Sequence, residues 1–461
     1  MTLKYPARGT RIMSRRLFIT LSVLVIVALL LAMVVIASGM HSQTSAAENT
    51  TAVTPKSGGN IQTNTVFDAH DTAIRYYFND KDMDFHFGSL VLGSTVNHGA
   101  EIGEAFNTAE KIRDGDAASW QEEWFRMAQR AEVRGEQSLA AGHKVSARDQ
   151  LQRAAYYYRI SLISIVPGDP RLQERAQKSR ALMKTAGKLF DPPMEYFEIP
   201  YEGTVLPGYF RKAAGDKPTK TLLMIGGGET FAEDLIFNIA PQAYDRGYNF
   251  ITVDLPGQGL LPMEGKTFRP DMYVPMKAVV DYALSRPEVD PNQLAAYGYS
   301  GGGNFVPQAA MHDPRLAAIA MNSGVVDAYP LFSTMPAVLA SQKDTASWTT
   351  FHANVVKSIC WRWGVPMDNP SGLVEANKGF TFDPAQVKVP VLLLIGEGDY
   401  KSQEIQRQQK VIMDGLPNPL KKMVILPADE GAANHCTMEN RSLAAQELFD
   451  WLDEVLGKVR Q

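Results

Sequence analysis

The first long stretch with a regular apolar pattern is residues 66–190, where large apolar side chains recur every three or four positions. The clearest examples are Trp120, Trp124, Met127 and Ala131, followed beyond Gly142 by Ala154, Tyr157, Tyr158 and Leu162. This spacing places apolar side chains on one face of a helix. The stretch is therefore predicted to be an all-α helical domain, with its tryptophans in the core rather than at a ligand.

The pattern changes after Pro192-Pro193, where helical spacing gives way to short apolar runs. Predicted strands occupy 196–200, 204–210, 220–225, 248–253, 294–299, 316–322, 389–395 and 423–426. Predicted helices lie at about 230–246, 273–285, 304–312 and 441–455. The first two strands flank Glu202-Gly203 and are predicted to form a hairpin. The alternation that follows is typical of a doubly wound, mostly parallel α/β sheet, so 191–461 is predicted to be one α/β domain.

Between about 325 and 380 the alternation of strands and helices lapses. The stretch contains several prolines and the aromatic residues Trp348, Phe351, Trp361 and Trp363. Insertions of this kind lie on the loops at the carboxyl ends of strands, where ligands bind. We therefore predict a cap insertion, whose aromatic side chains either pack within the cap or line a pocket.

The N-terminus carries an uncharged apolar run at 17–37, preceded by five basic residues and no acidic one. The run is long enough for a transmembrane helix, and the basic flank predicts that the rest of the chain lies outside the cytoplasm. Cleavage near 45–47 would instead make 1–47 a signal peptide, and Arg15-Arg16 fits either a twin-arginine export signal or a simple basic flank. Both readings predict a protein exported to the periplasm or cell surface, either secreted or held at the membrane. Residues 48–65 are small and polar, which predicts a flexible linker.

Composition and charge narrow the class of protein. The 461 residues are 45% apolar and 21% charged, as expected of a globular protein with room for more than one domain. The formal net charge is −4, and the basic residues before Glu48 leave the remainder more acidic still, so a nucleic-acid partner is not expected. Two cysteines, Cys360 and Cys436, exclude a disulfide scaffold or a cysteine-based zinc site but leave open one bridge between them.

The strongest chemical signal is Gly298-Tyr299-Ser300-Gly301-Gly302, which matches G-x-S-x-G between a predicted strand and a predicted helix. Such a turn is so tight that its serine has a strained backbone and its neighbours must be small, hence the glycines. The strain lifts the hydroxyl above the edge of the sheet, where a substrate reaches it. Ser300 is therefore predicted to be a catalytic nucleophile.

A serine hydroxyl needs a base to take its proton and an acid to orient that base. His435 follows the last predicted strand, and of the eight histidines it alone comes after the candidate acid in the chain. Asp399 follows the strand at 389–395, and because Gly398 precedes it at the predicted tip of a loop, it is the preferred acid, with Glu397 and Asp327 as competitors. The order Ser, Asp, His is the one that such elbows use. Cys436, next to the histidine, is predicted to pack rather than to react.

Attack on a carbonyl also needs two backbone N–H donors that point at the oxyanion. One is expected from Gly301, directly after the nucleophile, and the other from the loop after the first long strand, at Gly228 or else Glu229. This loop, GGGET, lacks the G-x-G-x-x-G spacing of a dinucleotide site, so no cofactor is predicted. Asp82, Asp84, His86 and His98 have no recurring ligand spacing. They are expected to serve in packing and hydrogen bonding at a domain face, and no metal is predicted.

The elbow, the segment DLPGQG, the aspartate loop and the histidine loop, spread over about 200–461, resemble the α/β-hydrolase superfamily. The helical stretch at 120–159 ahead of them resembles the group that includes dihydroxypseudooxynicotine hydrolase, a carbon-carbon bond hydrolase, and the FrsA-like esterases. The resemblance implies a triad of Ser300, Asp399 and His435. It also implies that the helical domain covers the active site and helps to form a homodimer.

The function expected from these residues is a serine hydrolase that acts on an ester-like or amide carbonyl of a small molecule. Two alternatives stay open. The same residues could cleave a carbon-carbon bond of a diketone-like substrate, or the fold could be catalytically silent and serve as a binding protein.

Overall fold

A computed structural model describes residues 67–334 and 348–459. The predicted signal or anchor segment at 17–37 and the linker at 48–65 lie outside these residues. Within the described ranges, no helix is both long enough and apolar enough to cross a membrane.

The helical region follows the predicted pattern. Its α-helices are α1 (Lys81–His86), α2 (Ile102–Ala109), α3 (Ala117–Ala140), α4 (Lys144–Ile160) and α5 (Pro170–Gly187). A π-helical turn and a 3-10 turn carry the chain from α1 to Asn97. α3 begins where Asp116 accepts a hydrogen bond from the backbone N–H of Ser119. The apolar face predicted for this helix is buried, and Trp120 and Trp124 have no exposed surface. The two tryptophans therefore belong to the core, as their spacing predicts.

Eight strands among the described residues form one sheet. They are β1 (Met194–Tyr201), β2 (Thr204–Arg211), β3 (Thr219–Ile225), β4 (Asn249–Val253), β5 (Val289–Tyr299), β6 (Ala318–Asn322), β7 (Val391–Gly396) and β8 (Lys421–Leu426). Their order is β1-β2-β4-β3-β5-β6-β7-β8. β1 pairs antiparallel with β2, and β2 with β4, while all the other pairs are parallel. The predicted hairpin and the mostly parallel sheet are both confirmed.

Helices cover both faces of the parallel part. They are α6 (Ala232–Ile236), α7 (Ala240–Asp245), α8 (Tyr273–Ser285), α9 (Gly302–His312), α10 (Tyr329–Ser333), α11 (Thr350–Arg362), α12 (Gly372–Ala376), α13 (Glu397–Tyr400), α14 (Gln403–Gly415) and α15 (Arg441–Val459). The single helix predicted at 230–246 is wrong, because the chain forms α6 and α7 instead. Pro241 lies at the start of α7 and has no N–H to continue the first helix. Helices α10 to α12 occupy the predicted cap insertion.

The chain direction explains where a site forms. After β3 the chain moves outward to β4, and it then crosses to the other side of β3 to add β5. The loops after β3 and β5 therefore diverge, and they leave a crevice at the carboxyl ends of these strands. The strands β4, β6 and β7 are fully buried, which fits a sheet covered on both faces.

Buried ion pairs join the helical region to the sheet. Arg159 of α4 lies 2.9 Å from Asp234 of α6, and both side chains are almost fully buried. Arg180 of α5 contacts Glu233 at 3.0 Å and Asp254 at 2.9 Å. A buried charge without its partner is costly, so these contacts specify how the helical region sits on the sheet.

Candidate active site

Ser300 lies at the turn between β5 and α9, as its sequence motif predicts. Its φ is +53°, in the left-handed region that side chains other than glycine rarely adopt. The backbone N–H of Ser300 donates to the carbonyl oxygen of Asn322 at the end of β6, 3.0 Å away. The strained turn is therefore held by the neighbouring strand.

The glycines beside Ser300 are required by close backbone approaches. A Cβ at Gly298 would collide with the carbonyl oxygen of Gly302, and a Cβ at Gly302 would collide with the carbonyl oxygen of Ile225. The first contact closes the turn, and the second packs α9 against β3. Side chains at either position would push the strand and the helix apart.

The structure brings Ser300, His435 and Asp399 into one hydrogen-bonded chain. His435 Nε2 lies 3.0 Å from Ser300 Oγ, and His435 Nδ1 lies 2.7 Å from Asp399 Oδ2. Ser323 donates from its hydroxyl to the same Asp399 oxygen at 2.6 Å, and it accepts from the backbone N–H of Cys436 at 3.1 Å. Sequence reasoning did not identify Ser323. Its signal was its place directly after the buried strand β6, where polar side chains point to the site.

The Asp399 carboxylate determines the protonation of His435. In the neutral ring, an acceptor that faces Nδ1 places the proton there, so Nε2 is left as a hydrogen-bond acceptor that faces the Ser300 hydroxyl. Burial lowers the pKa of His435, but Cys436 and the Asp399 carboxylate act in the opposite direction. Together they raise that pKa well above its ordinary value.

The competing acids lie elsewhere. Glu397 accepts a hydrogen bond from the backbone N–H of Ala428, and Asp327 accepts one from the backbone N–H of Tyr329. Asp399 itself sits in the short helix α13 rather than at the tip of a glycine loop, so the predicted local geometry is wrong although the residue does reach His435. Because α13 begins directly after β7, it still presents the carboxylate at the carboxyl edge of the sheet.

The loop after β3 passes very close to the nucleophile. A Cβ at Gly227 would lie 2.8 Å from Ser300 Oγ and 3.1 Å from the backbone nitrogen of Gly301. The N–H of Gly227 donates to the Thr230 hydroxyl at 2.9 Å, so it is not available to an oxyanion. The second N–H donor to an oxyanion is therefore expected from one of the next two residues.

Gly228 and Glu229 are the two candidates that remain on this loop. A Cβ at Gly228 would lie 3.0 Å from the ring of Trp363, so this glycine forms part of the pocket wall. Arg159 donates to the carbonyl oxygen of Glu229 at 2.8 Å, and this contact orients the peptide. Their role, with that of Gly301, as oxyanion donors stays a prediction.

A cavity of about 630 Å³ opens over Ser300. One wall comes from the sheet and its loops, and the other comes from the helical region around α1 and from the cap helix α11. Its lining is mainly apolar, and it includes Trp348 and Trp363 from the predicted cap. Phe351, by contrast, is fully buried in the core of the helical region. The volume suits a drug-sized molecule.

A group of polar side chains lies on the helical wall of this cavity. His70 Nδ1 contacts Asp82 Oδ1 at 2.6 Å, and His86 Nδ1 donates to the backbone oxygen of Asp82 at 2.6 Å. His352 Nδ1 contacts the other oxygen of Asp82. The Nε2 atoms of His70 and His86 lie 3.9 and 3.6 Å from Glu229 Oε2. We call His70, His86 and Glu229 the His-His-Glu cluster.

The charged side chains in this wall shift one another's pKa values. Burial lowers the pKa of His70, but Asp82, with Glu229 and Asp68, outweighs burial and raises that pKa to about 9. Burial raises the pKa of Asp82, and His70 with His352 reverses this effect, so the pKa of Asp82 falls below its usual range. His70 and Asp82 therefore form an ion pair at neutral pH.

The expectation for the four residues at 82–98 is met only in part. Asp84 accepts hydrogen bonds from the backbone N–H groups of Tyr76, Tyr77 and Phe78, as a structural residue does. His98 is exposed and lies outside the cavity lining. Asp82 and His86, however, belong to the cavity wall.

Both cysteines are buried and free, which answers the question that the sequence left open. Cys436 packs among the buried residues of the core, as predicted, and also lies in the cavity lining. Burial raises the pKa of the Cys360 thiol to about 11. Neither cysteine belongs to a disulfide.

Two family models match the chain. The model described as Esterase FrsA-like matches residues 95–340, and that of the prolyl oligopeptidase family matches residues 237–459. The first match starts in the helical region and extends through the elbow. It covers more than half of the chain.

Similar curated proteins are hydrolases from fungi. The 20-hydroxy-prefusarin hydrolase FUS2 of Gibberella moniliformis is 34% identical over 413 residues, which are 82% of this chain and 97% of that protein. The hydrolase ORFZ of Pyricularia oryzae is 29% identical over 439 residues, 84% of this chain and 99% of that protein. The helical region and the sheet domain are therefore shared as one unit.

A solved structure has the same fold. The 2,6-dihydroxy-pseudo-oxynicotine hydrolase superposes with a TM-score of 0.63 at 22% identity, and the match covers 79% of this chain and 95% of that chain. At this identity the likeness shows the fold alone. It includes the helical region as well as the sheet.

Proposed function

The chain belongs to the FrsA-like esterase family of α/β hydrolases and is a hydrolase, and from this premise we propose that it acts through an acyl-enzyme formed at Ser300. The observation that carries the proposal is the continuous chain of hydrogen bonds from Ser300 through His435 to Asp399. The serine lies on a strained elbow that faces the cavity between the sheet and the helical region, where a carbonyl substrate would be partly shielded from bulk water.

In the proposed reaction, Ser300 Oγ attacks the substrate carbonyl carbon while its proton passes to His435 Nε2. Asp399 stabilises the imidazolium that forms. The N–H groups of Gly301 and of Gly228 or Glu229 bind the oxyanion. His435 then protonates the leaving group as the carbonyl re-forms. A water molecule repeats the attack on the acyl-enzyme, returns its proton through His435 and releases the acid.

The cavity supports a substrate with a large apolar part. Leu90, Phe332 and Trp363 are among the residues that line it, and its volume exceeds what a short acyl group needs. Burial of such surface stabilises a bound substrate by about 25 cal/mol per Å² before the cost of association is subtracted. We therefore propose an ester or amide whose acyl or leaving group is bulky and apolar.

A second candidate is hydrolysis of a carbon-carbon bond by the same residues. The feature that favours it is the His70 imidazole on the helical wall of the same cavity, whose pKa Asp82 raises to about 9 against the effect of burial. A carbon leaving group departs as an enolate, and a cation nearby stabilises that charge. A 1,3-diketone offered beside an ester of the same size separates the two candidates by their relative kcat/KM.

Replacement of Ser300 with alanine tests the proposal. We expect kcat to fall by at least about 10⁴-fold, because the nucleophile and its proton transfer are both lost. Labelling of the wild-type chain by a fluorophosphonate probe should disappear in Ser300→Ala, and circular dichroism should be unchanged. The matched control is Ser371→Ala, at an exposed serine remote from the cavity lining, which should keep both activity and labelling.

Retained hydrolysis in Ser300→Ala would exclude the acyl-enzyme. A wild-type chain that hydrolyses no ester, amide or diketone and takes no fluorophosphonate would instead support a catalytically silent binding protein.

A further inference from the structure

The geometry points to a divalent metal site in the His-His-Glu cluster, between the helical wall and the loop after β3, with Zn²⁺ or a related first-row ion as its ligand. The site goes beyond the proposed function and does not depend on it. Three segments contribute to it: the chain ahead of α1 provides His70, the end of α1 provides His86, and the loop after β3 provides Glu229.

The three donor atoms converge on one point. His70 Nε2, His86 Nε2 and Glu229 Oε2 all lie within 4.8 Å of one another. The two separations from the carboxylate oxygen, 3.9 and 3.6 Å, are too long for direct hydrogen bonds. With metal-ligand bonds of 2.0–2.1 Å, the ligand atoms of a tetrahedral zinc site lie about 3.3–3.4 Å apart. The cluster is thus wider than a zinc-bound set, so metal binding requires the three side chains to move closer together.

Asp82 holds both imidazoles in the orientation that a metal needs. Its carboxylate contacts His70 Nδ1, and its backbone oxygen accepts from His86 Nδ1. Both rings are therefore anchored by Nδ1, and both turn Nε2 toward Glu229. Histidines that bind metals are held in the same way, with the other ring nitrogen donating to a carboxylate or a carbonyl.

Two imidazoles and one carboxylate select the class of ion. This donor set suits Zn²⁺ and other first-row divalent ions, whereas Ca²⁺ and Mg²⁺ prefer oxygen ligands. Ligating imidazoles are neutral, so protons compete with the metal and binding should weaken as the pH falls. Because all three residues line the same cavity as Ser300, the remaining coordination position is open to water or to an oxygen atom of a molecule bound there.

Cobalt binding tests the site without any measurement of activity. The full-length chain, purified without a histidine tag and stripped with a chelator, is titrated with Co²⁺ while its visible d–d absorption is recorded. We expect one equivalent to bind, with the intense bands of a four- or five-coordinate ion, and Zn²⁺ to displace it. Metal analysis after Zn²⁺ loading and gel filtration should give the same stoichiometry.

Variants assign the binding to these residues. Asp82→Asn removes a residue that supports the ligands, and it should weaken Co²⁺ binding by about 10- to 100-fold. His86→Ala and Glu229→Gln each remove a ligand, so each should weaken Co²⁺ binding by more than that. His143→Ala, at an exposed histidine outside the cavity lining, is the matched control and should bind as the wild type does. Glu229→Gln keeps the size of the side chain, so it decides the test if His86→Ala fails to fold.

The inference is overturned if the wild-type chain binds no Co²⁺ or Zn²⁺ above the level of Glu229→Gln, or if Glu229→Gln binds as tightly as the wild type. The titration is repeated in Ser300→Ala, where binding should persist. Failure of the metal site and failure of the acyl-enzyme proposal are thereby separate results.

Discussion

The wall of the cavity formed by the sheet and the wall formed by the helical region each anchor a histidine through Nδ1 and a carboxylate. On the sheet wall, Asp399 holds His435, and the Nε2 of that ring faces a serine hydroxyl at 3.0 Å. On the helical wall, Asp82 holds His70, and the Nε2 of that ring faces Glu229 at 3.9 Å. The same carboxylate-imidazole pair is thus suited to proton transfer in one place and to binding a cation in the other. What lies opposite Nε2 makes the difference.

The largest effect expected from this contrast is on rate. Asp399→Asn should lower kcat by about 10⁴-fold, because an amide no longer holds His435 in the tautomer that accepts the serine proton. The matched control is Glu397→Gln, at an acid two residues away that bonds only the backbone N–H of Ala428 among the contacts described. It should change kcat less than about threefold. Equal losses in the two variants would remove Asp399 from its proposed role.

The second effect is on stability, and it concerns how the helical wall is held. Arg159→Met leaves the buried Asp234 without its partner and should lower the free energy of unfolding by about 3–5 kcal/mol. The double variant Arg159→Met/Asp234→Asn should recover part of this loss. Thermal melting, followed by circular dichroism, measures both.

An exposed pair serves as the reference for that measurement. Lys410 and Asp414 form an ion pair on the solvent-facing side of α14, so Lys410→Ala should cost less than about 1 kcal/mol. If Arg159→Met melts at the wild-type temperature, the buried pair does not hold the helical wall in place.

The smallest effect is a shift in pH dependence, and it tests the sheet wall again. His435 must be neutral to accept the serine proton, so kcat/KM should fall as the pH drops through its pKa. Since that pKa is raised, the acid limb of the plot of kcat/KM against pH should have its midpoint above pH 6.5. Loss of the Asp399 charge lowers the pKa, so Asp399→Asn should move the limb toward acid. Fluorophosphonate labelling rates against pH measure it, and an unmoved limb would contradict the assignment.

The two walls also differ in how far the sequence predicts them. Ser300, Asp399 and His435 each lie in the segment that follows an apolar run predicted to be a buried strand, and parallel strands end at one edge of a sheet. Ser300, Asp399 and His435 could therefore be named from position and order alone. The His-His-Glu cluster offered no such rule, because His70 lies in an irregular segment and Glu229 follows the three glycines of the loop after β3. Even His86 was expected only to pack and to form hydrogen bonds at a domain face.

Some local predictions failed for identifiable reasons. The helix expected at 230–246 is split because Pro241 cannot continue the hydrogen-bond ladder. Asp399 was expected in a glycine turn, but Glu397–Tyr400 forms a short helix. The homodimer, the export route and the N-terminal anchor stay predictions.

The sequence by itself determined the order of strands and helices, the strained position of Ser300 and the identity of its two partners, because period, glycine placement and chain order are local properties. Only the tertiary structure decided that Ser323 supports Asp399 and that Asp82 turns two histidines toward Glu229. These contacts join segments that are far apart in the chain. They form only when β3, β5, β6 and β7 pair in that order and when buried ion pairs bring the helical region onto the sheet.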